Sequence, residues 1–153
     1  MRLGGGAARF LQLIETRIKP RVAELIPVDP GEQSLWGHSY GGLFTLFALC
    51  ARPASFRRYF PTSASLSWAD GLLDVYLQRL TEQPPTNAVD VWMCRGSAEG
   101  RQSEHLGSQQ RATLSRQAND EFVRFATGLC GVPLLRVRRR LYAGLSHGEM
   151  FSA

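Results

Sequence analysis

The sequence predicts an α/β fold with about four parallel strands flanked by helices. Short apolar runs with strand character alternate with longer runs in which apolar residues recur at helical spacing. A helical run separates each strand from the next, which is typical of right-handed crossovers between parallel strands. No repeat and no linker divides the 153 residues, so we expect a single domain over residues 1–153.

The first half of the chain is predicted to hold two helices and two strands. Apolar residues at helical spacing predict an amphipathic helix over residues 6–26. Residues 34–36 are predicted to form the end of a short buried strand, and a buried helix follows at 43–50. That helix should end at Arg52, because the residue before a proline is driven away from helical backbone. A second short strand is predicted within residues 56–62.

The second half of the chain repeats the alternation of helices and strands and supplies the last two strands of the sheet. A helix is predicted at 72–80, and the proline pair at 84–85 ends that segment. The apolar run 89–94 predicts a strong strand, and a long helix is expected at 108–127. The alternating run 134–142 predicts the last strand.

The composition excludes several classes of protein. A chain with 44% hydrophobic and 20% charged residues is typical of a globular domain, and no apolar run approaches the ~20 residues that cross a bilayer. No signal peptide is evident, so we expect a cytoplasmic protein without a membrane partner, although a longer parent protein could be periplasmic. Cys50, Cys94 and Cys130 lie scattered in apolar surroundings, which predicts buried free thiols. Neither a metal site nor a cofactor is expected.

The net charge of +5 comes from arginine, and the densest cluster is Arg136 with residues 138–140. Such a cluster raises the alternative of a basic nucleic-acid-binding module. However, residues 134–138 alternate as a strand does, so alternate arginines should share one solvated face. We therefore expect no nucleic-acid partner. An arginine-lined mouth that attracts an anionic small substrate is at least as well supported.

A Gly-x-Ser-x-Gly motif at residues 37–41 stands between the first strand and the buried helix. A serine on such a sharp turn is typical of the nucleophile elbow of α/β-hydrolases, so Ser39 is the candidate nucleophile. The amide N–H of Tyr40, at the N-terminus of the following helix, would donate to a developing oxyanion. The alternative is a tight glycine turn whose serine only caps the helix.

A serine hydroxyl needs a base, and in α/β-hydrolases the chain order is serine, acid, histidine. His147 lies in a glycine-rich loop after the last strand, where that order places the base. Glu99, in the loop after strand 89–94, is the candidate acid that orients the imidazole. A Ser-His dyad without an acid would also fit. His38 lies inside the motif and is expected to point away from the nucleophile.

Four segments carry a resemblance to one family of hydrolases. They are Gly4-Gly5-Gly6-Ala7 with the helix after it, and residues 33–44, 63–68 and 146–148. In these segments the chain resembles the α/β-superfamily hydrolases that include enterobactin, salmochelin and bacillibactin trilactone esterases. The resemblance extends over nearly the whole chain, and the motif around Ser39 is its most specific part.

The resemblance implies serine-dependent hydrolysis of ester or lactone bonds in a ferric siderophore, which releases iron. It makes Ser39 the nucleophile and His147 the base of a reaction on a small-molecule ester. It also implies that Ser65 and Trp68 line the acyl site. The family loop usually reads Ser-Pro-Ser with paired tryptophans, whereas this chain has Ala64 and only Trp68 there. The natural ester therefore stays open.

The resemblance further implies a long segment ahead of Gly4 that holds the first strands and a second oxyanion donor. We therefore expect the C-terminal half of an α/β-hydrolase fold, truncated at its N-terminus. Catalysis should be impaired, because the loss of one oxyanion donor costs ~10²–10³ in turnover. The strand before Ser39 would form an open edge, which is a recognised site of self-association. The alternative is a non-catalytic remnant or interaction module that needs a partner chain.

Overall fold

The computed structural model describes residues 5–68, 71–99 and 107–152, and within them four strands form one sheet. The strands are β1 (Ser34–His38), β2 (Arg58–Thr62), β3 (Val89–Gly96) and β4 (Leu135–Tyr142). They lie side by side in chain order, and each neighbouring pair is parallel. The predicted α/β architecture with about four parallel strands is confirmed.

Helices connect the strands and precede the first one. They are α1 (Ala7–Leu13), α2 (Lys19–Leu25), α3 (Tyr40–Ala51), α4 (Leu72–Glu82) and α5 (Ser108–Cys130), with short 3-10 turns at Pro53–Ser55 and Glu149–Phe151. None of these described helices is long and apolar enough to cross a membrane.

The helix predicted over residues 6–26 is interrupted by a π-helical turn at Ile14–Ile18. Pro20, the second residue after this turn, has no N–H to donate to the carbonyl four residues earlier, which explains the wider turn. The predicted amphipathic face is only partly buried. Leu11 packs in the core, whereas Phe10, Val22 and Leu25 are exposed. The spacing predicted the helix correctly, but not which of its apolar residues would be covered.

The core lies between one face of the sheet and helices α3, α4 and α5. Burial alternates along β3, where Val89, Val91 and Met93 are buried and the residues between them are half-buried. From the helices, Leu49 of α3 and Phe125 of α5 are almost fully buried against this face. The long buried stretch of α3 explains why its sequence is apolar on all sides.

The arginines of β4 have distinct contacts. Arg136 binds Asp90 through two hydrogen bonds of 2.6 and 2.8 Å, and Arg139 donates to Thr127 of α5. Arg138 lies over the ring of Trp92, 5.5 Å from its centroid. Burial acts to raise the pKa of Asp90, but the hydrogen bond and charge of Arg136, with neighbouring guanidinium groups, hold that pKa below its usual value. Part of the basic cluster therefore makes contacts with the sheet and with α5.

Gly37, the fourth residue of β1, lies where strand and helix α3 approach most closely. A Cβ at this position would overlap the carbonyl group of Gly41 and lie 2.7 Å from the hydroxyl oxygen of Thr45. Thr45 in turn donates a hydrogen bond of 2.9 Å to the Gly41 carbonyl. The first turn of α3 therefore requires glycine at position 37, whereas a Cβ at Gly41 would meet nothing within 4 Å.

Replacing Gly37 with alanine should lower the free energy of unfolding by about 1–3 kcal/mol or more, because the backbone of α3 must move away from β1. Urea denaturation followed by circular dichroism measures this change. Gly41→Ala is the matched control and should be neutral or stabilising by up to ~1 kcal/mol, since alanine favours a helix interior over glycine. Equal stability of the two variants would contradict the close approach.

The three cysteines differ in exposure. Cys50 is buried, Cys94 is half-buried and Cys130 is exposed at the end of α5. The prediction that all three thiols are buried is therefore wrong for Cys130, because that residue lies on the outer side of a helix whose core face holds Leu129. All three are free thiols. Burial raises the pKa of Cys50 to about 12.

Iodoacetamide at pH 8 should alkylate Cys130 rapidly in the native protein and leave Cys50 unmodified. Burial raises the pKa of Cys50 to about 12, so almost none of this thiol is ionised at pH 8, and the side chain is also shielded. Peptide mass spectrometry of native and urea-unfolded samples checks this order. Native alkylation of Cys50 at the rate of Cys130 would show that the α3 core opens readily.

Candidate active site

Ser39 occupies the single residue between β1 and α3 and has unusual backbone angles. Its φ is 60° and its ψ is −117°, in a region that residues other than glycine rarely adopt. The Ser39 amide donates to the Thr62 carbonyl at 3.1 Å, and the Ser39 carbonyl accepts from the amide of Ser65. These contacts with the end of β2 hold the strained turn in place. The Ser39 side chain makes no capping hydrogen bond to α3, which disfavours a mere capping role.

The carboxyl ends of the four parallel strands bring the candidate residues to one edge of the sheet. Ser39 follows β1, Ser63 follows β2, Glu99 lies shortly after β3, and His147 lies five residues beyond the end of β4. Ligand sites in open α/β sheets form at this edge, because loops from several strands meet there.

Glu99 is almost fully buried and has a partner on both carboxylate oxygens. Oε2 lies 3.0 Å from Nδ1 of His147. Oε1 accepts hydrogen bonds from Ser63 Oγ at 2.5 Å and from the amide of Gly96 at 2.8 Å. The buried guanidinium of Arg95 lies 3.4 Å from Oε2. Both oxygens of this buried carboxylate therefore have polar or charged partners, as buried polar groups require.

Arg95 is the cation of this buried pair, with only 8% of its surface exposed. Burial lowers its pKa from the ordinary value, while the charges of Glu99 and Glu121 oppose that change. Its guanidinium also donates to Asn119 of α5 at 3.0 Å. The pair of Arg95 and Glu99 therefore links the end of β3 to α5 beneath the imidazole.

The imidazole of His147 is oriented by Glu99. Because Nδ1 faces a carboxylate acceptor, Nδ1 carries the proton in the neutral ring and Nε2 is left as a proton acceptor. Among the described residues, no hydrogen bond joins Ser39 Oγ to this ring. However, His38, the neighbour of Ser39 in the chain, has its ring centroid 4.5 Å from that of His147. The His147 ring therefore lies beside the strand that carries Ser39.

Two contacts at this site had not been inferred from sequence. The side chain of His38 points to the loop after β4, where its Nε2 lies 2.9 Å from the carbonyl oxygen of His147. Ser63 has a φ of 47° and holds Glu99 through its hydroxyl. The only sequence signal for either residue was its position immediately after, or at the end of, a predicted strand.

The remaining predicted residues line two different cavities. Ser65 lines a cleft of about 960 Å³ together with His147, Glu99 and residues of α5. Trp68 lines a smaller apolar cavity of about 240 Å³ with Tyr40 and residues of α1, α3 and α4. Tyr40 is the first residue of α3, and no acceptor among the described residues receives its amide N–H. Within the described ranges, no group of three or more His, Cys, Asp or Glu side chains could hold a metal ion.

Comparisons of this chain with known proteins all point to esterases. The Esterase family model, described as "Putative esterase", matches residues 2–128. The apo-salmochelin esterase of Escherichia coli O6:H1 is 42% identical over 84 residues, covering 55% of this chain and 25% of that protein. The ferri-bacillibactin esterase BesA of Bacillus subtilis is 28% identical over 120 residues, covering 74% of this chain and 40% of that protein. The resemblance to siderophore esterases is thereby confirmed.

A solved structure extends the similarity to nearly the whole chain. The siderophore hydrolase EstB from Aspergillus nidulans superposes with a TM-score of 0.83 at 26% identity, covering 97% of this chain and 54% of that chain. The chain thus spans about half the length of this structural relative. It spans two fifths or less of the two curated relatives that it matches.

Proposed function

Because the chain belongs to the esterase family whose model it matches, we propose that it carries the catalytic residues of a serine esterase. The bond hydrolysed would be a carboxylic ester or lactone, and Ser39 would be the nucleophile. The observation that carries this proposal is the site at the sheet edge, where the strained turn at Ser39 lies beside an imidazole held by a buried carboxylate. This arrangement fits a serine, histidine and glutamate triad better than a dyad.

The reaction follows from the roles of these groups. Ser39 Oγ attacks the ester carbonyl carbon while Nε2 of His147 takes the hydroxyl proton. The carbonyl oxygen becomes an oxyanion and accepts a hydrogen bond from the amide of Tyr40 at the N-terminus of α3. Collapse of the tetrahedral intermediate breaks the C–O bond, and His147 returns the proton to the leaving alkoxide. Water, activated by the same imidazole, then releases the acid from Ser39.

Glu99 would keep His147 in the tautomer that this reaction needs. Its hydrogen bond to Nδ1 fixes the ring, and its negative charge stabilises the imidazolium that forms during attack. Ser63 and Gly96 donate to Oε1 of Glu99, and the guanidinium of Arg95 lies 3.4 Å from Oε2, so the carboxylate is held in place against the imidazole.

The substrate class rests on the relatives and on the two cavities. The two curated relatives are named for salmochelin and for ferri-bacillibactin, and both names point to siderophore esters. The cleft next to His147 has room for a bulky ester and is lined by polar residues such as Ser65 and Arg95 together with apolar residues such as Leu66 and Leu114. The apolar cavity beside Tyr40 and Trp68 would take an apolar part of the substrate. We therefore propose a ferric siderophore or a related ester.

A fluorophosphonate probe tests the nucleophile directly, because it reacts only with an activated serine. The wild-type protein should be labelled at Ser39, and the Ser39→Ala variant should not be labelled. Ser34→Ala, exposed at the other end of the same strand, is the matched control and should be labelled as the wild type is. Equal labelling of wild type and Ser39→Ala, or none of either, would contradict the proposal.

A second candidate function is an interaction module that binds another chain along β1. Among the described strands, β1 pairs only with β2, so its other edge leaves backbone donors and acceptors unpaired. Trp36 on this strand is 51% exposed, and α1 and α2 expose Phe10, Val22 and Leu25. Self-association through this edge is the form of the function that these features support. Size-exclusion chromatography with light scattering tests it, and a soluble monomer with esterase turnover would exclude it.

A further inference from the structure

The side chain of His38 contacts both His147, the candidate base, and Phe151, which lies near the end of the segment that carries His147. Its Nε2 is 2.9 Å from the carbonyl oxygen of His147. Its ring lies 4.5 Å from the His147 ring and meets the ring of Phe151 edge-on at 5.6 Å. A carbonyl oxygen only accepts hydrogen bonds, so Nε2 of His38 must be the donor. One side chain thus contacts the backbone and the ring of the same histidine.

The segment held in this way is the His147 loop, residues 143–152. From the β3 side it is fixed by several hydrogen bonds: Glu99 to the imidazole, the amide of Ala98 to the Leu145 carbonyl at 3.0 Å, and the amide of Gly144 to Ser97 Oγ at 2.9 Å. From the β1 side, the described residues show a single hydrogen bond to the loop, and it is the one from His38. The two sides of the loop are therefore held very unequally.

This asymmetry matters because Ser39 belongs to the β1 side. The bonds from β3 fix His147 relative to Glu99, but they do not fix it relative to Ser39. His38 is covalently joined to Ser39 and hydrogen-bonded to His147. Its side chain is therefore the shortest described connection between the serine and the loop that bears the imidazole. A displacement of about 1 Å between reacting groups can cost ~10²-fold in rate.

We propose that His38 is a positioning residue, whose N–H to the His147 carbonyl sets the imidazole at its working distance from Ser39. This inference rests on the proposed function, in which Ser39 and His147 react together. His38 acts through the backbone of His147 and exchanges no proton with the substrate. The property that matters is therefore a hydrogen-bond donor at the position of Nε2, and not the ionisation of the ring.

Two substitutions test the hydrogen-bond donor and the aromatic ring of His38 separately. His38→Gln keeps an N–H at nearly the position of Nε2 and loses the ring, whereas His38→Phe keeps a ring and loses the donor. With p-nitrophenyl acetate as substrate, His38→Phe should lower kcat by roughly 10- to 100-fold with little change in KM. His38→Gln should stay within a few-fold of wild type. Equal loss in both variants, no loss in His38→Phe, or a loss confined to KM would overturn the proposal.

Amide hydrogen exchange of the His147 loop gives a readout that needs no turnover. The loop should exchange several-fold faster in His38→Phe than in wild type, while α5 and β3 should exchange at unchanged rates. His38→Gln should follow the wild type. If the wild type is neither labelled nor active, the proposed function fails, and the exchange data still decide whether His38 holds the loop. Equal exchange in wild type and His38→Phe would overturn the proposal.

Discussion

Replacing Ser39 or His147 with alanine should lower kcat for p-nitrophenyl acetate by roughly 10⁴- to 10⁶-fold. Alanine at 39 removes the atom that forms the acyl bond, and alanine at 147 removes the group that takes the proton from that atom. Steady-state kinetics of purified variants measures both losses. KM should change little, because neither side chain supplies much of the ground-state binding.

The double variant gives the sharper result. Since the two side chains act as one unit, Ser39→Ala with His147→Ala should lose no more than either single variant. Ser34→Ala serves as the matched control and should keep the wild-type kcat. Multiplicative losses in the double variant would mean that the two residues act independently. That outcome would contradict the triad, even if each single variant were inactive.

Replacing Glu99 with leucine should lower the free energy of unfolding by about 3–5 kcal/mol. The reason is that Arg95 would remain a buried cation without the carboxylate that it now faces. The hydroxyl of Ser63 and the amide of Gly96 would also lose their acceptor. Urea denaturation at neutral pH measures the loss, with the slope m compared between variants.

A compensating variant tests whether the unpaired charge of Arg95 causes this loss of stability. Arg95→Met combined with Glu99→Leu should recover a substantial part of the lost stability, because the buried pair is then replaced by apolar side chains. Arg124→Met breaks the exposed pair with Asp74, whose side chains are about half exposed. It should cost at most about 1 kcal/mol. A double variant no more stable than Glu99→Leu would show that the loss comes from the uncharged donors.

The sheet could be predicted from the sequence because each strand is an unbroken run of residues with one pattern, either apolar throughout or alternating. β3 and β4 begin within one residue of their predicted starts, and β1 includes the residues 34–36 that were predicted as the end of a strand. Strands in a parallel sheet appear as short apolar or alternating runs between turn signals. The position of Ser39 between β1 and α3 followed from the same pattern. Glu99 and His147 were chosen because their loops follow later strands in the serine, acid, histidine order of α/β-hydrolases. Their meeting at 3.0 Å follows from parallel strands that end at one edge of the sheet.

Long-range contacts and exposure could not be predicted in this way. His38 and the His147 carbonyl are 109 positions apart, and no local pattern shows that the loop after β4 extends across the sheet to the end of β1. Ser63 looked like one of several serines in a polar loop until its hydroxyl was placed against Glu99. The exposed face of the first helix and the exposed thiol of Cys130 depend on what covers each helix. The periodicity of apolar residues shows which face of a helix is apolar, but not which other element covers that face.

The edge-to-face contact between Trp36 and Phe151 gives the protein an optical reporter. The two ring centroids lie 5.6 Å apart, so the indole on β1 touches the 3-10 turn that closes the His147 loop. Trp92 packs against Phe60 instead, and Trp68 against Tyr40. Emission from Trp36 should therefore change in wavelength and intensity whenever the turn moves. Trp92 provides a constant background, and a Trp68→Phe variant removes the indole that lines the proposed substrate cavity. Stopped-flow fluorescence could follow the base as substrate arrives, with no dye attached.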